Sequence, residues 1–239
     1  MAEKRPAEDE VDDVKAKKRW QVFAHATSII KVYVGKDKVD YQVHESVLVQ
    51  CSWFKKCLSS GMREQQEKKI DLEEDDADDI DILLRWLYGE KEVNVERDIL
   101  RVASAYNTAD KYRLPELQNA LIDTARKICV AHRLNPREAM IVWGGAPEGS
   151  KLRTLMVNQL HYDICTSSEE YKSEGEKVGP YGRELITLME EKPDMAHALY
   201  WKMHKWANTG NRNRQQTPVN PGTAGACFYH VHVDGKRCA

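Results

Sequence analysis

Hydrophobic and polar positions alternate over Ile29–Val34 and again over Tyr41–His44, with Lys36-Asp37-Lys38 between them. A period of two places Ile30, Val32 and Val34 on one face of a first strand and Tyr41 and Val43 on one face of a second, so the stretch predicts a β-hairpin. The period then lengthens to about 3.6. Val47, Leu48 and Cys51 fall at helical spacing, and Ser52-Trp53-Phe54 opens a further short helix that carries Cys57 and Leu58 to a break at Gly61. Lys68 to Leu72 alternates once more and predicts a third strand. The acidic run from Glu73 to Asp79 is explained by the unpaired N–H groups that open a helix, with Asp75 or Asp76 as the cap. Ile80, Leu83, Leu84, Leu87 and Tyr88 form the buried stripe of that helix, which Gly89 closes. Val93 and Val95 predict a brief strand, and a helix follows over about 96–112. Pro115 opens another, burying Leu117, Leu121, Thr124, Ala125 and Ile128. The order β-β-α-α-β-α-β-α-α is that of a mixed α+β module.

From residue 132 to about 207 the pattern is helical. Asn135-Pro136-Arg137-Glu138 supplies a cap, a first-turn proline and an acid, predicting a helix to about Trp143. Ser150 caps a second, marked by Leu152, Leu155, Met156 and Leu160. Two more carry Leu185, Leu188 and Met189, then Leu199, Met203 and Trp206. Residues 208–226, rich in Asn, Gln, Thr, Pro and Gly, read as a flexible linker, and residues 1–27 as a disordered arm with few large apolar side chains. The predicted organisation is therefore an arm (1–27), an α+β domain (28–131), an all-helical C-terminal extension (132–207), and a linker with a Cys/His-bearing tail (208–239).

Composition narrows the class. A chain of 239 residues, 41% hydrophobic with net charge −2, can bury a proper core and is not a generally basic nucleic-acid binder. No apolar run reaches the roughly 18 residues of a membrane span, and the charged N-terminus does not read as a secretory signal. Six scattered cysteines suit reduced thiols, so the sequence predicts a soluble protein of nucleus or cytoplasm. In the arm, Lys4-Arg5 is followed after a spacer by Lys17-Lys18-Arg19, a spacing that resembles a bipartite nuclear localisation signal.

Candidate chemistry is sparse. His44 has no nearby nucleophile with a third orienting acid and reads as structural. The Glu73–Asp79 acids lack the Gly and terminal Glu of a calcium loop. Gly144 to Lys151 echoes a phosphate-binding loop, but its Ser150-Lys151 order is the reverse of what that loop requires, and it reads as a turn. No catalytic residue and no cofactor is expected. In the tail, Cys227, His230, His232 and Cys238 suit zinc in type and number, but an extended strand would point Cys227 away from both imidazoles, and no metal site is assigned.

Four blocks together are specific enough to carry a family resemblance: Val32-Tyr33-Val34-Gly35; Tyr41, Val43, His44 and Leu48 with Ser52 and Phe54; Leu83-Leu84, Trp86-Leu87-Tyr88; and Ala109-Asp110-Lys111-Tyr112, Leu114 and Leu117. Residues 28 to about 131 resemble a BTB/POZ domain. The resemblance implies a small sheet against a cluster of helices that binds other proteins and associates with itself, and the helix-tailed build is similar to single-module BTB proteins of fungi. Ile29 stands where the family usually has an aspartate of the dimer contact, and Glu45 where it usually has a lysine, so the implied homodimer is open here. The resemblance also implies a docking motif at Met62-Arg63-Glu64: in adaptors that bind a cullin scaffold, a hydrophobic residue fills an apolar pocket and an acid two residues later makes a polar rim contact. The expected function is a non-enzymatic adaptor linking a protein partner to a larger assembly, such as a cullin ubiquitin ligase. The alternative is a nuclear transcription or chromatin regulator acting through BTB-mediated association. Neither a membrane nor direct nucleic-acid contact is expected.

Overall fold

The structure, a computed structural model, describes residues 28–59, 61, 63–95, 97–175, 177–208 and 217–232. The chain divides into two compact units, one up to Glu90 and one from Lys91 onward.

The first unit is built on the hairpin. Strands β1 (Ile29–Val34) and β2 (Val39–His44) pair antiparallel, with Ile30 opposite Val43 and Val32 opposite Tyr41. Strand β3 (Lys69–Leu72) runs parallel to β1 on its other side, giving the order β2-β1-β3. A parallel neighbour requires a crossover, and the short helices α1 (Glu45–Leu48), α2 (Ser52–Ser59) and α3 (Arg63–Glu67) provide it. The period-two faces are as the alternation predicts: Ile30, Val32, Val34, Val43, Ile70 and Leu72 are buried, together with Val47, Leu48 and Phe54 from the helices. Each such side chain contributes on the order of 1.5–3 kcal/mol on burial.

Helix α4 (Ala77–Tyr88) completes the unit. Of the two proposed caps the structure uses Asp76, whose carboxylate accepts from the backbone N–H of Asp78 and Asp79 at 3.1 and 3.2 Å. Its stripe buries Ile80, Leu83, Leu84 and Leu87, but the predicted fifth member, Tyr88, is exposed, because its hydroxyl serves a polar partner on the hairpin. Gly89 ends the helix at φ +106°, a left-handed conformation that favours glycine.

The second unit is helical: α5 (Ile99–Lys111), α6 (Pro115–Ala131), α7 (Pro136–Gly145), α8 (Lys151–Thr166), α9 (Ser168–Tyr171), α10 (Gly182–Glu191) and α11 (Pro193–Asn208), then a 3-10 turn at Ala226–Tyr229. The brief strand expected at Val93 and Val95 does not form. The described residues hold one three-stranded sheet, and Val95 is buried as a single apolar anchor before Asp98 caps α5. Asn135 and Ser150 cap α7 and α8 as their sequence contexts predict. Helix α8 is the axis of this unit, packing against α6, α7, α9, α11 and the 3-10 turn. Leu152, Leu155, Met156 and Leu160 are fully buried, and so are Gln159, His161 and Asp163 on its other faces. A helix covered on all sides needs polar partners as well as apolar ones. On α6 the core positions are Leu117, Leu121, Ile122, Ala125 and Cys129, while the predicted Thr124 and Ile128 are only half-buried. On α10 Met189 is exposed rather than buried, since Leu185 and Leu188 already fill the inward face.

Candidate partner-binding surfaces

Four regions carry residues singled out by sequence, and around the last of them packing builds a groove. At the corner where the hairpin turns into α1, His44 meets Tyr88 at the end of α4. The imidazole Nδ1 lies 2.9 Å from the Tyr88 hydroxyl, the His44 backbone N–H donates to the same oxygen at 3.2 Å, and the rings meet edge to face. Tyr41 makes a second tie between the same elements, its hydroxyl donating to the Ala77 carbonyl at 3.0 Å. The sequence reading of His44 as a structural bridge agrees with this geometry.

The segment between α2 and β3 holds the proposed docking motif. Gly61 turns the chain at φ +69°, its N–H donating to the Gln65 side chain at 2.9 Å. Arg63 opens α3 with its side chain 84% exposed and paired to Glu67 at 2.5 Å, whereas Glu64 is half-buried. The Glu64 charge reaches back to α2: burial first, and then this carboxylate, raises the Cys57 thiol above its ordinary range. Met62 lies outside the described residues, as do Lys4, Arg5, Lys17, Lys18 and Arg19.

The tail departs from the extended strand that the sequence suggests. The 3-10 turn brings Cys227 Sγ within 3.2 Å of His232 Nε2. His230 turns elsewhere, its Nε2 lying 3.1 Å from an Asp123 carboxylate oxygen, and Cys238 lies outside the described residues. Among the described residues no group of three or more His, Cys, Asp or Glu side chains is placed to hold a metal ion. Nor is the described part of the predicted linker loose. Arg126 of α6, itself buried, donates to the carbonyls of Pro221, Gly222 and Ala224, and the Asn119 amide pairs with the Val231 backbone in both directions, at 2.6 and 3.0 Å. These fixed partners on α6 replace solvent for backbone groups that a free linker would leave hydrated.

The Gly144–Lys151 turn also resolves structurally. Gly149 takes a positive φ of 71°, Ser150 is engaged in capping α8, and Lys151 Nζ donates to the Phe228 carbonyl at 2.9 Å. The turn forms one wall of an open groove of about 580 Å³ within the second unit, lined also by Trp143, Arg153, Asp194, Trp201, Lys202 and Lys205. Sequence reasoning missed these residues. The available signal was the α11 pattern, in which Tyr200 and Trp201 stand out of step with the buried Met195 and Leu199 and are more than half exposed.

The first unit is a small sheet bound by short helices, and the second is built of helices that expose aromatic and charged side chains. Residues 25–128 match the family model described as BTB/POZ domain, and the chain carries a BTB/POZ domain over that stretch. Beyond it the described chain continues as helices to Asn208, and residues 217–232 follow with their 3-10 turn. No curated protein matches this chain. No described helix is long and apolar enough to cross a membrane.

Proposed function

We propose that this BTB/POZ protein is a non-enzymatic adaptor, in which residues 62–64 dock on a cullin-type scaffold and the helical extension holds a recruited partner. One observation carries the reading: in a BTB/POZ domain, the segment after α2 presents a short helix whose Arg63 faces solvent while Glu64 sits half-buried at its start. In this reading Met62 would supply the apolar anchor and Glu64 the acidic rim contact. The test is binding of a cullin N-terminal region to the full chain and to its Met62→Ala and Glu64→Ala variants. Wild type should bind in the micromolar range, with each substitution weakening binding about tenfold or more. Absence of wild-type binding at tens of micromolar ends the scaffold reading.

The two basic clusters of the arm favour a second reading, a nuclear regulator acting through BTB-mediated association. A fluorescent fusion should then accumulate in the nucleus and be lost from it on Lys17→Ala with Lys18→Ala; a cytoplasmic fusion indifferent to the change counts against it.

A further inference from the structure

The groove between α7, α8 and α11 has an apolar floor and an unbalanced charge. Trp143, Val157, Ala198 and Trp201 supply the floor. Trp143 is held rigidly: its indole N–H donates to Asp194 at 2.6 Å, and the Arg153 guanidinium stacks over its ring at 4.9 Å while donating to the Ala146 carbonyl at 2.9 Å. The indole hydrogen bond, aided by Arg153, keeps Asp194 below the usual carboxylate range. Asp194 and Arg153 thus offset one another. What remains on the rim is Lys202 and Lys205 against the single carboxylate of Glu148.

Among the described residues neither lysine has an ion-pair partner. Partial desolvation and then the charge of Lys205 hold Lys202 below the usual lysine range, and Lys202 in turn adds to the burial that lowers the His161 imidazole. Two like charges one helical turn apart, beside a buried imidazole, repel one another unless an anion is brought to them. Next to them Trp201 is 52% exposed, with its indole N–H directed to His197 at 2.7 Å and its ring edge-on to His204. A fixed aromatic floor with an uncompensated cationic rim is the arrangement that recognises an apolar side chain flanked by carboxylates.

We infer that this groove binds a short acidic peptide segment of a partner protein, seating an aromatic or aliphatic side chain between Trp143 and Trp201 and its neighbouring carboxylates on Lys202 and Lys205. As the recruiting site of an adaptor the inference rests on the functional reading above, but peptide binding is measured without any scaffold. Failure here and failure at Met62 are therefore separate results.

The experiment pans a displayed library of random short peptides on the full chain, with the K202E/K205E variant as counter-selection. Peptides enriched on wild type should combine Asp or Glu with a Trp, Phe, Leu or Ile. A synthetic peptide of the enriched sequence should bind about tenfold more weakly to K202E/K205E and to Trp201→Ala, and more weakly at high salt. Circular dichroism and melting temperature matching wild type show that these exposed substitutions leave the fold intact. Enrichment of neutral or basic peptides, no enrichment, or an acidic peptide whose affinity is unchanged by K202E/K205E overturns the proposal. Concentration-dependent self-association abolished by the same variant would assign the groove to a second copy of the chain and overturn it equally.

Discussion

His44 and Tyr88 lie 44 positions apart in sequence, yet a single hydroxyl oxygen joins them, meeting both the imidazole and the backbone N–H of His44. The contact closes the first unit by tying the end of the hairpin to the end of α4. It also explains why a tyrosine at a stripe position of an amphipathic helix is exposed. Tyr88→Phe keeps the ring and removes the acceptor, so it should lower the stability of the chain by about 1 kcal/mol. Chemical denaturation followed by circular dichroism gives the difference directly; equal midpoints for wild type and variant would show that the bond carries no net weight.

Asp163 of α8 provides a pH dependence. Burial raises its carboxyl to about 6, against the partial compensation of hydrogen bonds from the Leu134 N–H and the Gln159 amide. A folded-state value above the unfolded one means that the native state binds the proton more tightly. The contribution is fully present below the unfolded value and is lost as pH rises through about 6. Between pH 7.5 and pH 5 wild type should gain stability from this group on the order of 1 kcal/mol, allowing for partial screening. Asp163→Asn should flatten that part of the profile, which denaturant titrations at several pH values resolve.

Arg126 fixes the described end of the predicted linker, donating to three of its carbonyls and to Asp123. Arg126→Ala leaves those carbonyls without their charged donor, at a cost of about 2–3 kcal/mol. Hydrogen exchange should accelerate over residues 220–231 more than in α5 or α10. Uniform acceleration across the second unit would mean that the segment is not held chiefly by this side chain.

Gly182, at the start of α10, admits no side chain. A Cβ there would collide with the carbonyl oxygen of Lys172 and press on Val178. Gly182→Ala should therefore destabilise the chain by about 2 kcal/mol or more, since the obstacle is backbone that cannot swing aside. Thermal unfolding of the variant checks this, with Gly149→Ala as a comparison whose cost is backbone strain alone, because its added Cβ would have open space.

Much of this protein is written locally. Alternation fixes which faces of β1, β2 and β3 are buried, because side chains in a strand alternate strictly. Helix starts are legible at Asp76, Asn135 and Ser150, because a cap bonds N–H groups only two or three residues away. The four motif blocks likewise carry the BTB/POZ domain that the family match places at 25–128. Tertiary structure alone decided what depends on distant partners. The parallel register of β3 on β1 joins residues about forty apart, and the exposure of Tyr88 depends on His44. Fixing of the 217–232 segment depends on Arg126 and Asn119, roughly a hundred positions earlier. The groove is the clearest case, since Trp143, Arg153, Asp194 and Lys202 come from three helices and share no spacing. Only the packing of α7 and α11 on α8 turns four ordinary surface side chains into one aromatic, cationic face.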